Sequence, residues 1–263
     1  KTLSLRGNNT AGNMITSQLT NNSTGVLSVS VDGGATWILT NNANSYTGNT
    51  TASAGALGIG NNAALGTVGT LILNNGNVFA YGADRTISNA VTHNNNTTAG
   101  FIGDYSLTFS SVLNLAAAAN NVTTINSLPA GKALTFNNGI TANSLSANRA
   151  WAVDGPGETI INGDFTTTTA FGVRIDVSGG GTLTLGTNGT TSNFNQSITA
   201  VDVDRGTLKF TTNNSIPTTS ASSGGVTLSP ELATADTATL NLNGTNQTIN
   251  ALTVITDGAL IID

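Results

Sequence analysis

Short apolar clusters, each opened by a glycine, recur along the chain. Clear examples are residues 55–59 (GALGI), 181–185 (GTLTL) and 206–210 (GTLKF), with related clusters at 131–136 and 258–262. Alternate side chains of a strand point to opposite faces. Leu183 and Leu185 are therefore expected on a buried face, and Thr182 and Thr184 on a solvated one. The pattern predicts many short strands, each entered through a glycine turn.

Longer stretches also repeat. Residues 55–67 return as 206–218 with one inserted residue, 70–76 return as 239–244, and 85–91 return as 247–253. Self-similarity of this kind is typical of solenoids. The loops between strands differ in length, which favours stacked coils over the tight two-residue hairpins of an antiparallel sandwich.

We therefore predict an all-β fold, a right-handed parallel β-helix (β-solenoid) that forms a single segment over residues 1–263 of a longer surface protein or fibre. At about 20 to 25 residues per coil, the chain makes about ten to thirteen coils. With coils about 4.8 Å apart, the segment is a rod about 50 to 60 Å long.

Composition changes this picture mainly through charge. Only 8% of the residues are charged, while 38% are hydrophobic. Low hydrophobicity is also found in disordered chains, but those usually carry high charge and lack β-branched clusters. The net charge of −5 and the absence of a Lys/Arg cluster exclude nucleic acid and anionic membranes as expected partners. No apolar run near 18 residues and no leader sequence is seen, so we expect no membrane insertion.

Pairs of asparagine occupy turn-like positions throughout the chain, at 61–62, 74–75, 94–96, 137–138 and 213–214. Asparagine tolerates left-handed backbone conformations, and its amide can pair with the same residue one coil away. We expect some of these asparagines to form ladders between coils, and the others to be ordinary exposed turn residues.

Candidate catalytic groups are few. His93, the only histidine, lies in a polar run and is expected in a solvated loop, where no carboxylate orients it as a base. Asp202 and Asp204 are two residues apart, which places both on one strand face and allows a paired acid or a weak Ca²⁺ site. The alternative is an exposed face with Val201 and Val203 pointing inward and Arg205 neutralising the acids, and we favour it.

Three further carboxylates, those of Asp154, Glu158 and Asp164, follow no metal-binding spacing. Cysteine is absent, which excludes disulfides and thiolate sites. We therefore expect no catalytic, cofactor-binding or metal-binding residues, no cofactor and no enzymatic activity. The large aromatic residues could stack on sugar rings if exposed, but we expect core or turn packing for each; they are Trp37, Tyr46, Tyr81, Tyr105 and Trp151.

Residues 36–67 resemble a known family. The stretch WILTNNANSYTGNTT (37–51), followed by AGALGIG (54–60), is similar to the autotransporter-associated β-strand repeat, also called the passenger-associated transport repeat. In that family an L-T-L strand leads to an N-x-Y-T-G-x-T-T turn and strand and then to a G-x-L-x-(L/I)-G strand. Residues 181–218 keep both flanking strands but have NFNQSI at 193–198 in place of the central element, and residues 100–175 share only the strand rhythm.

The resemblance implies an autotransporter passenger, carried outside a bacterial cell as a β-helix. The function we expect is that of an extracellular structural or adhesive β-solenoid of the cell surface, without catalysis, which assembles end to end into a fibre. Its partners would be other copies of itself or surface glycans. The alternative is a carbohydrate-binding or polysaccharide-degrading β-helix, which needs either exposed aromatic rings or converging carboxylates.

Overall fold

The structure is a computed structural model that describes residues 1–94, 97–116, 122–142, 149–167, 173–186, 198–215, 225–230, 236–255 and 259–263. These residues form strands connected by turns, with no helix among them. The strands are β1 (Thr2–Leu5), β2 (Asn13–Ile15), β3 (Ser28–Val31), β4 (Thr36–Leu39), β5 (Thr50–Ala52), β6 (Ala56–Ile59), β7 (Leu71–Leu73), β8 (Asn77–Ala80), β9 (Arg85–Ile87), β10 (Val91–His93), β11 (Thr98–Phe101), β12 (Leu107–Phe109), β13 (Leu113–Leu115), β14 (Val122–Asn126), β15 (Ala133–Phe136), β16 (Ile140–Ala142), β17 (Arg149–Asp154), β18 (Glu158–Asn162), β19 (Phe165–Thr167), β20 (Val173–Val177), β21 (Thr182–Gly186), β22 (Ile198–Val203), β23 (Gly206–Phe210), β24 (Gly225–Leu228), β25 (Thr237–Asn241), β26 (Ala251–Val254) and β27 (Ala259–Ile262).

The strands stack into three parallel sheets, of which the second extends over all levels of the stack, the first from β1 to β19 and the third from β9 to β27. The first sheet has the order β1-β3-β5-β7-β10-β13-β16-β19, the second β2-β4-β6-β8-β11-β14-β17-β20-β22-β24-β26, and the third β9-β12-β15-β18-β21-β23-β25-β27. Each strand pairs with the equivalent strand of the next coil, which confirms the predicted all-β parallel β-helix.

The coils differ in length. In the second sheet the step between paired residues ranges from 20, between Ile38 and Gly58, to 29, between Ile125 and Asp154. That sheet holds eleven strands, which give eleven levels of the stack. The predicted ten to thirteen coils match this count, although the longest steps exceed the predicted 20 to 25 residues.

The core is a continuous column of inward-facing apolar side chains. Leu183 and Leu185 are buried as predicted, and so are Leu208 and Phe210 of the related cluster. Each inner position stacks on the matching position of the next coil, as Phe109 does on Phe136 with ring centroids 5.4 Å apart. Burial of such a column removes apolar surface from water and so stabilises the stacked coils.

Thr184 differs from its prediction. We expected it on a solvated face, yet it is only 2% exposed. Its hydroxyl donates to the Glu158 carboxylate, with 2.9 Å between Oγ1 and Oε1, so the neighbouring coil covers it.

The repeated sequences do not occupy repeated places in the coil. Residues 55–59 contribute β6 of the second sheet, whereas their counterpart 206–210 is β23 of the third. Likewise β7 belongs to the first sheet and its counterpart β25 to the third. The repeat therefore marks a common way to build an inward-facing strand, not a constant position. Residues 216–218 of the second copy and residue 258, which opens the last glycine-led cluster, lie outside the described residues.

Asparagines connect neighbouring coils at the corners. Asn94 donates to Asn74 and Asn162 donates to Asn137, each across 3.1 Å, which confirms amide ladders at two corners. Elsewhere the amide bonds to the main chain of another coil: the buried Asn44 accepts from the Leu19 N–H and donates to the Ala64 carbonyl, both at 2.8 Å. Asn95 and Asn96 lie outside the described residues.

Candidate functional site

The paired acids lie on the outer face of the second sheet, as predicted. In β22, Val201 and Val203 are fully buried, so Asp202 points away from the core. Asp202 is in register with Asp176 of the preceding coil. Asp204, at the end of the strand, accepts a hydrogen bond from the Ser229 hydroxyl across 2.7 Å. Three carboxylates therefore share one small region of the surface.

The cation that neutralises this region is Arg174, which the sequence did not single out. Its guanidinium lies 2.8 Å from Asp176 Oδ1 and 3.4 Å from Asp202 Oδ2. The pKa of Asp176 is raised, mainly because the carboxyl group is partly buried, and the hydrogen bond from Arg174 opposes that rise. The expectation that Arg205 neutralises the pair is wrong, because Arg205 instead donates to the Ser178 carbonyl and pairs with Asp236.

The other candidate carboxylates do not join the cluster. Asp154 accepts from the Gly155 N–H across 2.7 Å, and Glu158 lies in the third sheet beside Thr184. Asp164 lies in the connection between β18 and β19. Within the described ranges, no group of three or more His, Cys, Asp or Glu residues could hold a metal ion. The arrangement is an ion-paired outer face and does not place two carboxylates on either side of a substrate.

His93 is not in a solvated loop; that expectation is wrong. It is the last residue of β10 and is fully buried between Leu73 and Leu115 of the adjacent coils. Its Nδ1 lies 3.4 Å from the hydroxyl of Thr124, which also accepts a 3.0 Å hydrogen bond from the Trp151 indole. The feature of the sequence that indicates this burial is the alternation of Val91, Thr92 and His93, because it places Val91 and His93 on the same inner face of the strand.

The His93 ring is held neutral by its surroundings. Its Nε2 has no hydrogen-bond partner within the described part of the chain. Burial lowers its pKa to about 4, against the smaller opposite effect of the nearby Thr97 main chain. A neutral, enclosed imidazole without a carboxylate partner cannot act on an external substrate.

The aromatic candidates divide into two groups. Tyr46 and Trp151 are fully buried, as expected, and the Tyr46 hydroxyl bonds to Thr50 across 2.6 Å. Trp37 and Tyr105 are half-buried, and the Trp37 indole donates to the Arg6 carbonyl. Tyr81 is 37% exposed and lies directly after β8, where the chain turns towards β9, so it is not part of the core.

Tyr81 belongs to a groove on the outer face of the second sheet, near its β2 end. The floor consists of Ile38 and the ring of Phe79, and the loop at 10–12 and Ile102 form the sides. The groove is open to solvent and has a volume of about 300 Å³, and none of its described lining residues carries a formal charge. We refer to it below as the outer groove.

Comparisons with models of known protein families, with curated proteins and with solved structures found no match to this chain. No helix in the described part of the chain is long and apolar enough to cross a membrane.

Proposed function

We propose that this chain is a structural and adhesive β-solenoid of a bacterial cell surface and that it has no catalytic activity. The observation that carries the proposal is the regular stack of three parallel sheets with a nearly uncharged exterior. A solenoid is extended because each coil contacts mainly its neighbours, so its sides offer a long surface for display or attachment. The resemblance of residues 36–67 to the autotransporter-associated repeat supports the location.

The arrangement of the acidic residues favours this function over polysaccharide cleavage. Glycosidases need two carboxylates about 5 to 9.5 Å apart on opposite sides of the bond that breaks. Here Asp176 and Asp202 lie side by side on one outer face and share Arg174, while Glu158 belongs to another sheet.

Antibody labelling of intact cells of the producing bacterium tests the proposal. Antibodies raised against the purified chain should label intact cells as strongly as permeabilised ones. Labelling that requires permeabilisation would overturn the proposed location. Hydrolysis of a polysaccharide by the purified chain, lost on replacing Asp202 and Asp204 by Asn, would overturn the proposed absence of catalysis.

End-to-end assembly is a second candidate role, in which a strand edge of one copy would pair with a strand edge of another. Leu252 and Ile255 lie in or directly after β26, and Ile261 and Ile262 lie in β27; each is between 41% and 53% exposed. A parallel strand edge of this kind accepts another strand through main-chain hydrogen bonds.

Sedimentation of the purified chain over a range of concentrations tests this role. The wild-type chain should form concentration-dependent oligomers, and Ile261→Lys with Ile262→Lys should remove them. The matched control is Val68→Lys, because Val68 is 70% exposed but lies away from that level. Monomeric wild-type chain at high concentration would contradict end-to-end assembly.

A further inference from the structure

We infer that the outer groove is a binding site for a neutral sugar chain, with Phe79 and Tyr81 as the stacking residues. The inference rests on the proposed adhesive function and deepens it, since it names the class of ligand and the surface that holds it.

The two rings lie on the same outer face because they are two residues apart at the end of β8. Val78 and Ala80, which alternate with them, are buried in the core. Two residues of a strand advance by roughly 6.6 Å, so the rings follow one another along the groove. Aromatic faces in this arrangement fit the apolar faces of consecutive sugar rings.

The Phe79 ring occupies its position because Gly58 lies beneath it. A Cβ atom on Gly58 would stand 2.7 Å from Phe79 Cζ and 2.8 Å from Ile38 Cγ1. Only a residue without a side chain allows the ring to lie against the sheet and beside Ile38. The floor of the groove is therefore preformed, which lowers the entropic cost of binding.

The main chain at Tyr81 is also fixed. Its N–H donates to the Ile59 carbonyl across 2.9 Å, and its own carbonyl accepts from the Arg85 guanidinium, with Nη2 at 2.7 Å. The residue is nevertheless 37% exposed. An exposed tyrosine on a fixed main chain can present its ring to a ligand in a concave, mostly apolar site.

The chemistry of the lining selects the ligand. No described lining residue carries a formal charge, and the Arg85 guanidinium behind Tyr81 is bonded to the Tyr81 carbonyl, so a charged ligand would lose hydration without an ionic partner in the lining. Thr10, Thr36 and Tyr81 add hydroxyl groups beside the apolar floor. A neutral sugar has both an apolar face and hydroxyl groups, whereas a fatty acyl chain would leave these hydroxyl groups unpaired. The volume of about 300 Å³ is at the small end of ligand sites, and an open groove of this size suits one or two sugar rings of a longer chain.

Titration calorimetry with the whole chain tests the site. The probes are cellohexaose, xylohexaose, maltohexaose and chitohexaose, with hexagalacturonate as the charged counterpart and lauric acid as the apolar one. At least one neutral hexasaccharide should bind, with a dissociation constant on the order of 0.1 to 1 mM. Tyr81→Ser and Phe79→Ala should each weaken this binding about tenfold.

Two variants separate the site from general effects on folding. Gly58→Ala changes the identity of no groove side chain, but its Cβ atom would displace the Phe79 ring, so this variant should also weaken binding. Tyr105→Ser removes a half-buried tyrosine outside the groove and should leave binding unchanged. Circular dichroism of each variant verifies that the solenoid is intact.

The inference is overturned if no neutral hexasaccharide binds at about 10 mM, or if an intact Tyr81→Ser variant binds as the wild type does. It is also overturned if lauric acid or a second copy of the chain, detected by sedimentation, occupies the groove in place of sugar. These outcomes leave the antibody labelling of intact cells unaffected, so failure of the sugar site and failure of the proposed surface location are distinguishable.

Discussion

At the scale of single residues, the most consequential feature is a polar chain inside an otherwise apolar core. Trp151 donates to Thr124, and Thr124 lies beside His93, which joins β17 and β14 of the second sheet to β10 of the first. The sequence did not predict it, because the run of asparagines after His93 indicates a loop. The alternation that places His93 inside becomes informative only once the β10 register is known.

The buried histidine makes stability depend on pH. Its folded-state pKa of about 4 lies below the ordinary value of 6.5, so the unfolded chain binds this proton more readily. The contribution of the neutral His93 to the free energy of unfolding is complete above pH 6.5 and is lost as the pH falls from 6.5 through 4. Two and a half pKa units correspond to about 3 kcal/mol. Chemical unfolding at pH 7 and pH 4.5 should show the loss.

The control for this prediction is His93→Leu, whose apolar side chain takes the same inner position without a titrating group. Its unfolding free energy should fall less than that of the wild type between pH 7 and pH 4.5. Equal losses in the two proteins would show that carboxylates elsewhere, and not His93, cause the acid sensitivity.

At the scale of strands and corners, asparagine and glycine determine how one coil sits on the next. The apolar clusters and the glycines before them predict the strands well, as β21 and β23 show. The sheet to which each strand belongs could not be predicted, because it depends on loop lengths that accumulate along the chain. For the same reason, Arg174 and not Arg205 meets Asp202, since ion pairing follows the register between coils.

Asn44 should contribute strongly to stability. Its side-chain amide accepts a hydrogen bond from the Leu19 N–H and donates one to the Ala64 carbonyl, and the residue is only 3% exposed. Asn44→Ala leaves the Leu19 N–H without a partner and the Ala64 carbonyl with only the 3.5 Å contact from the Tyr46 hydroxyl, and it should cost about 2 to 4 kcal/mol in unfolding free energy. Asn62 is the matched control: it is exposed and accepts one bond, from the Thr86 N–H, so Asn62→Ala should cost less than about 1 kcal/mol. Similar losses in urea titrations of both variants would contradict the role given to the buried amide.

Gly181 marks a corner where two coils touch through their main chains. A Cβ atom there would lie 2.3 Å from the Gly157 carbonyl oxygen and 2.5 Å from that of Gly155. Gly181→Ala should therefore force the coils apart and cost about 3 kcal/mol. Gly131, whose added Cβ would meet no atom within 4 Å, is the control; its φ of +79° limits the cost of Gly131→Ala to about 1 to 2 kcal/mol. A thermal shift as large for Gly131→Ala as for Gly181→Ala would show that backbone conformation, not coil contact, decides.

At the scale of the whole molecule, the solenoid is stabilised by its core and its ladders and hardly by charge. The ion pairs in the described residues lie at the surface, such as Arg6 with Asp32 and Lys132 with Asp84. These contacts lower the pKa of both aspartates, but exposed pairs contribute little to stability. The low charge of the sequence predicted this character, whereas the extent of each sheet along the stack could be known only from the register between coils.

Salt should therefore have little effect on unfolding. Calorimetry at about 50 mM and about 500 mM sodium chloride should give melting temperatures within about 2 °C of each other, because screening acts mainly on exposed charges. A much lower melting temperature at high salt would contradict this account, because it would show that surface ion pairs contribute substantially to stability.

We propose that this chain builds a length of rod on a bacterial surface, and electron cryotomography of the producing cells tests this proposal most directly. Eleven levels at a spacing of about 4.8 Å amount to about 50 Å of rod. In-frame deletion of residues 1–263 should shorten a thin surface projection by about that length, or remove the projection altogether. Projections of unchanged length in the deletion strain, with the wild-type chain still produced in its parent, would contradict the account.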